Sequence, residues 1–281
     1  MGIKFKEVSH QYKSLMSNKH AIFNINLNIN PFDEIVAVVG ETGSGKSTLI
    51  KHMNALLLPT KGKVTIFGQD LPAKKRTKIA YLRQKVGLVF QFPEYQLFES
   101  TVLKDIMFGP LNFKTTKDNA EKLALDAAKK LNIDEAILSK SPLLLSGGQM
   151  RRVAIAGIIA MNPDILILDE PSRGLDPKGR TDVMNAFLDD FKQNRKTIIL
   201  ISHDMELVLN YAKRVIVMQK GGIAFDGSTK DLFESPDFPK YGLAHPPILK
   251  IMNELEKKLK IPYKFVKNKD DLLNYLKDYY V

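Results

Sequence analysis

Three glycines fall within the six residues that open "GETGSGKSTL" (40–49), and Lys46, Ser47 and Thr48 follow at once. The spacing Gly40-x-x-x-x-Gly45-Lys46-Ser47 is the pattern of a phosphate-binding loop. Without Cβ atoms, successive backbone N–H groups can curl around the β-phosphate of a nucleotide. A helix opening near Lys46 adds its unpaired N–H groups and the positive end of its dipole. Lys46 is expected to reach the β- and γ-phosphates as a point charge, and the Ser47 hydroxyl to ligate Mg²⁺. Gly40, Glu41, Thr42, Gly43, Ser44, Gly45, Lys46, Ser47 and Thr48 therefore form the expected cradle of a nucleoside triphosphate.

Two further stretches carry related chemistry. In "ILILDEP" (165–171) a buried strand should end in Asp169, beside the Mg²⁺ of the nucleotide. Glu170 follows on the other face of the strand's end, where it suits a general base or a residue that positions the attacking water. "LSGGQ" (145–149) places Ser146, Gly147, Gly148 and Gln149 at the start of the helix-like "MRRVAIAGIIAM", a second anion-binding helix start. One phosphate loop has no obvious use for a second γ-phosphate grip. Two chains facing each other do, because each can close the other's nucleotide.

These residues need a scaffold, and the apolar patterning supplies one. Residues 3 to 39 alternate apolar and polar in short runs ("IKFKEV", "FNINLNI"), as half-buried antiparallel strands do. "KVTIF" and "VGLVF" are also strand-like. Residues 101 to 138 switch to helical spacing, with Leu123, Leu125, Ala128, Leu131 and Ile137 as the expected inward positions. The continuous apolar runs "DILILD" and "TIILIS", separated by a helix-length segment over 178–194, point to a parallel α/β core. "RVIVMQKGGIAFDG" predicts a closing hairpin around Gly221-Gly222. Beyond about residue 228 prolines become dense, and helices are expected over 247–260 and 269–280 as a small C-terminal appendage.

Composition bounds the function classes. The 281 residues carry 42 basic and 31 acidic side chains, a formal charge of +11, yet the lysines are scattered and form no long block. That pattern fits a solvated surface more readily than an anionic membrane surface or a nucleic-acid face. Zero cysteines exclude a disulfide scaffold and a thiolate metal site. "MGIKFKEVSHQYK" contains no apolar signal-type run, and no apolar stretch is long enough to span a bilayer, so a soluble chain is expected.

Taken in order, Gly40–Thr48, Gln91, Leu145–Gln149, Asp169–Glu170, Asp176 and His203 resemble an ABC-type ATPase subunit over residues 3 to 228. The resemblance implies an α/β P-loop NTPase fold with a parallel-sheet core, an antiparallel β subdomain and a helical signature subdomain at about 92–160. An ATPase domain over 1–228 and an appendage over 229–281 follow from it. It implies ATP and Mg²⁺, and a head-to-tail dimer with ATP between one chain's phosphate loop and the other's Ser146–Gln149. By the same resemblance Gln91 contacts Mg²⁺ and the attacking water, and Asp176 crosses the dimer interface. His203 then contacts the γ-phosphate, and Tyr12 stacks on adenine. Ser172-Arg173 stands where the family usually has a small Thr-Ala pair.

Soluble relatives that act on nucleic acid carry two phosphate loops or a long inserted coiled coil, and this chain has neither, so no nucleic-acid partner is expected. "VFQFPEYQLFESTVLKDIMFGPLNF" and "LSGGQMRRVAIAGIIAMNP" resemble the ATPases of energy-coupling factor (ECF) transporters for vitamins and metal ions, particularly their second paralogue. The implied partners are a sister ATPase (a homodimer being possible), a membrane scaffold and substrate-binding membrane subunits, with the chain on the cytoplasmic face of the cell membrane. An ordinary importer ATPase with an external receptor is the alternative. Phe92, Tyr95, Phe98 and Phe108, interleaved with Glu94, Glu99 and Asp105, suggest a groove with an apolar floor and an acidic rim for a short basic helix of the scaffold.

Overall fold

The computed structural model describes residues 2–12, 20–30, 35–72, 79–171, 184–185, 187–189 and 196–280. Two sheets organise them. The first is antiparallel, in the order β2 (His20–Ile29), β1 (Ile3–Gln11), β4 (Lys61–Ile66), β5 (Gln69–Leu71). Its registry sets Ile3 against Ile29 and Phe5 against Leu27, so the alternating apolar residues of β1 and β2 share one face. That face buries Ile3, Phe5, Ile22, Ile25 and Ile29 against Leu49, Ile50 and Met53 of helix α1 (Lys46–Met53).

The second sheet runs β10 (Gly222–Ser228), β9 (Arg214–Gln219), β3 (Ile35–Val39), β8 (Thr197–Ile201), β7 (Ile165–Asp169), β6 (Val86–Val89). Its pairings are parallel from β9 through β6, and β10 closes the edge as the antiparallel arm of the expected hairpin. Strands β3, β6 and β8 are buried at every position, and β7 at all but Asp169, as continuous runs of Val, Ile and Leu require when both faces are covered. β3 thus belongs to this buried sheet and not with the half-buried strands that precede it. The order β3-β8-β7-β6 brings four loops side by side at the carboxyl edge of the sheet, where open α/β folds bind ligands. Those loops carry residues 40–45, 202–203, 170 and 91.

A helical unit covers one face. It comprises α3 (Val102–Asn112), α4 (Lys117–Lys130) and α5 (Gly147–Ile159), whereas the single turn α2 (Leu82–Lys85) sets Leu82 in the core of the antiparallel sheet. Thr101 and Thr116 accept hydrogen bonds from Lys104 N and Asn119 N, so α3 and α4 each begin at a capping hydroxyl. α4 buries Ala120, Ala124, Ala127 and Ala128, and this small-residue stripe shares a core with Ile106 of α3 and with Val153 and Ile155 of α5. The expected inward positions Ala128, Leu131 and Ile137 are buried and Leu123 is half-buried, but Leu125 is 41% exposed. It lies one 100° step past Ala124, just off the alanine stripe.

The C-terminal segment packs on the same face, further along the sheet over β3 and β9, while the antiparallel sheet and α1 cover the opposite face. Helices α6 (Met205–Tyr211), α7 (Thr229–Phe233), α8 (Pro247–Leu259) and α9 (Lys269–Tyr280) contribute Val208, Leu232, Leu249, Met252 and Leu272 to a core that includes Val39, Val215 and Val217. The appendage therefore shares its core with β3 and β9. The alanine stripe gives a stability test. Ala124→Leu should destabilise by roughly 1–3 kcal/mol through overpacking, while Leu125→Ala should stay within about 0.5 kcal/mol, as surface changes do. Urea midpoints check this, and equal losses at the two positions would contradict the assigned face.

Candidate functional site

β3 ends at Val39 and the chain enters the loop through Gly40, whose φ of 137° L side chains rarely adopt. A Cβ there would lie 2.1 Å from the carbonyl oxygen of Met218, and one on Gly45 (φ 105°) would lie 2.6 Å from that of Ala21. Both glycines are demanded by their neighbours as well as by their dihedrals. Lys46 is buried, and its Nζ donates to the carbonyls of Gly40 (2.7 Å) and Glu41 (2.8 Å), so the amine spans the mouth of the loop. Burial lowers its pKa, against the opposing pull of Glu170 and Asp169. The Ser44 hydroxyl is buried with no hydrogen-bond partner, a polar atom left for a ligand inside the loop. Tyr12, just past β1, sets its hydroxyl 3.2 Å from Thr48 Oγ1 and leaves its ring half-exposed beside the loop.

The ends of β7, β8 and β6 meet around one carboxylate. Glu170 Oε2 accepts a hydrogen bond from Gln91 Nε2 at 2.9 Å, and Oε1 lies 3.1 Å from His203 Nε2. Two residues chosen from sequence thus both contact a third. The Glu170 backbone sits at φ 50°, and its N–H donates to Ile201 O at 3.0 Å. Asp169, one residue earlier, has its pKa raised by burial first and by Glu170 second, with Lys46, Lys51 and His203 opposing.

This donor set fits a hard divalent cation held jointly with phosphate. Among the described residues no group of three or more His, Cys, Asp or Glu side chains converges. A hydroxyl (Ser47), a carboxylate (Asp169) and an amide (Gln91) would leave half of an octahedral shell to other oxygens, as Mg²⁺ shared with a nucleotide needs.

Ser146 caps α5. Its Oγ accepts from Gln149 N at 3.3 Å, while Gln149 Oε1 accepts from Ser146 N at 3.0 Å, a reciprocal capping box. Nothing lies within 4 Å of a Cβ built on Gly147 or Gly148, so this helix start is open to an approaching ligand. Asp176, together with Ser172 and Arg173, lies outside the described residues.

Beyond Gln91 a groove of about 300 Å³ is lined by Leu97, Phe98, Asp105, Phe108, Val153 and Met161. Phe98 and Phe108 meet edge to face at 4.8 Å, and Phe98 is 62% exposed, whereas Val102 is core. The acidic rim is smaller than expected. Asp105 is buried and accepts from the N–H groups of Glu99 (2.9 Å) and Phe98 (3.4 Å), so it shapes the loop; burial raises its pKa. Glu94 has one carboxylate oxygen fully buried. Arg151 was not singled out from sequence, because nothing in "MRR" separates it from a solvated arginine of the helix. It is buried and donates to the carbonyls of Pro171 and Gln91.

The family model described as "ABC transporter" matches residues 22–173. The chain is 46% identical over 267 residues to the energy-coupling factor transporter ATP-binding protein EcfA2 of Bacillus licheniformis, covering 94% of this chain and 92% of that one. It is 47% identical over 245 residues to EcfA2 of Bacillus subtilis, covering 86% and 88%. Among solved structures, CbiO1 of Clostridium perfringens, described as part of the ABC transporter complex CbiONQ, superposes with a TM-score of 0.73 at 33% identity, covering 92% of this chain and 95% of that one. The ATP-binding cassette MJ0796, a dimer in a post-hydrolysis state bound to ADP and Pi, superposes with a TM-score of 0.72 at 31% identity, covering 81% and 98%.

The Lys46 geometry gives a binding test. Lys46→Ala removes a charge-assisted contact worth roughly 1.5–3 kcal/mol, so ATP affinity should drop and hydrolysis should nearly vanish. Titration with a fluorescent ATP analogue measures the first and phosphate release the second. Unchanged affinity and turnover would contradict the placement.

Proposed function

The chain belongs to the ABC transporter family, in its energy-coupling factor branch, and from that premise we propose how its residues divide the work of an ATPase that powers solute uptake. The energy-coupling factor assignment is favoured over an ordinary importer with an external receptor. The observation that carries the catalytic assignment is Glu170, held between Gln91 and His203 at the edge of the parallel sheet.

Gly40–Thr48 cradle the phosphates of ATP, and the half-exposed Tyr12 ring offers a face to adenine. Lys46 leaves the loop carbonyls to meet the β/γ oxygens. Ser47, Asp169 and Gln91 would hold Mg²⁺, which would supply positive charge against the phosphates. Glu170 accepts a proton from the attacking water as its oxygen bonds to the γ-phosphorus and the bond to the ADP oxygen breaks. Gln91 and His203 fix the direction of that carboxylate, and His203 is placed to donate to the γ-phosphate as the site closes. Ser146, Gly147, Gly148 and Gln149, with Asp176, face the nucleotide held by a second ATPase chain, either a copy or a sister subunit.

Among the described residues no helix is long and apolar enough to cross a membrane. Attachment to the cytoplasmic face is then through a membrane scaffold, which in turn carries substrate-binding membrane subunits for vitamins or metal ions. The Phe98–Phe108 groove is the proposed seat for a short helix of that scaffold. Gln91, at the start of the same segment, would make helix position depend on the γ-phosphate state.

Two measurements test these assignments. Glu170→Gln keeps the shape but cannot take the proton, so ATP binding should survive while kcat falls about 10²–10⁴-fold; wild-type turnover would remove Glu170 from its role. Phe98→Asp with Glu99→Lys should leave ATP affinity within about twofold and weaken scaffold association or uncouple hydrolysis from uptake. Reconstituted vesicles measured for both uptake and ATPase decide the second. Full coupled uptake would exclude this groove as the docking site.

A further inference from the structure

Arg151 lies little more than one helical turn inward from the Ser146 cap and is only 5% exposed. Its Nη2 donates to Pro171 O at 2.7 Å and Gln91 O at 3.3 Å, and it approaches Glu170 O at 3.5 Å. One guanidinium nitrogen carries two hydrogens, so the first two contacts use them and the third is shared and weak. All three carbonyls belong to the segments that leave the ends of β6 and β7. Those same segments present the Gln91 amide and the Glu170 carboxylate.

The backbone there needs a clamp. Glu170 holds φ at 50°, which L residues avoid unless their surroundings enforce it. Its N–H is fixed by Ile201 O, and its carbonyl side faces Arg151. Burying a guanidinium is itself costly without partners. Here the carbonyl cluster and the nearby charge of Glu94 supply them, and although burial lowers its pKa the group stays a cation. A surface arginine would not be placed so deep against three carbonyls of the catalytic edge.

We propose that Arg151 is a positioning residue for ATP hydrolysis: it clamps the exits of β6 and β7 so that Gln91 and Glu170 act as one unit, and it ties that unit to α5. The inference rests on the assignment of Glu170 and Gln91 given above. It carries a consequence for the dimer. The first turn of α5 serves the partner's nucleotide, and the next turn holds the catalytic edge of its own chain. A shift of α5 at one site is therefore felt at the other.

The test uses the complete transporter complex, with ATP turnover followed against ATP concentration and single-turnover measurements for slow variants. Arg151→Met keeps the apolar stem and removes the donors. It should lower kcat about 10–100-fold with the ATP KM within about threefold, the signature of lost transition-state positioning. Arg151→Lys keeps the charge without the fork and should lose less. Combined with Glu170→Gln, Arg151→Met should add no more than about a threefold loss, because both act through one carboxylate. Three results would overturn the proposal: a kcat for Arg151→Met within threefold of wild type, a raised KM at unchanged kcat, or fully multiplicative losses in the double variant. If Arg151→Met does not assemble, Arg151→Lys carries the test under the same criterion, with wild-type kcat overturning it. Wild-type kcat in Glu170→Gln would instead remove the assignment of Glu170, which is a separate outcome.

Discussion

A carboxylate held between an amide and an imidazole, at the edge of a fully buried parallel sheet, is the interaction around which this chain is arranged. Glu170 can receive Gln91 and His203 only because β6, β7 and β8 lie side by side and end at one level. That arrangement requires strands apolar on both faces, hence the runs of Ile, Leu and Val. It also requires two covering layers: the α3–α5 unit and the C-terminal helices share one face, and the antiparallel sheet with α1 covers the other. Two adjacent acids at the end of β7 are costly to bury together, and the raised pKa of Asp169 expresses that cost. Lys46 and Lys51 supply positive charge that opposes it.

The phosphate loop shows the same economy of space. Gly40 and Gly45 are packed against the carbonyls of Met218 and Ala21, so the glycines that bare the loop also let β9 and β2 close around it. The loop's neighbours leave no room for a side chain at these two positions, and Lys46 bridges its mouth through two carbonyls. α5 starts with a cap made by its own side chains and two glycines open to the outside. The two helix starts are built differently. One is enclosed within its own chain, and the other faces outward.

The sequence disclosed those parts whose chemistry demands a fixed spacing of residue types. Bare backbone before Lys46, an acid pair closing an apolar strand, and serine with two glycines opening a helix are visible because few other structures need them. Tertiary accommodation was not visible. α4 packs through its alanines and leaves Leu125 outside, since close approach to α3 and α5 selects small residues over apolar ones. Asp105 resembles a surface acid in helical spacing, yet it is buried under two backbone N–H groups, which periodicity cannot reveal. Arg151 escaped for the same reason, because its partners are carbonyls brought from two other strands.

The central claim is that hydrolysis needs two chains, one holding ATP in its phosphate loop and the other closing it with Ser146–Gln149. ATP turnover per chain, measured on this chain at fixed concentration while a second ATPase chain is titrated in, tests that claim most directly. The account predicts that verified monomer binds ATP but hardly hydrolyses it, and that turnover rises to saturation as the second chain is added. Full turnover in verified monomer, unchanged by a second chain, would contradict it.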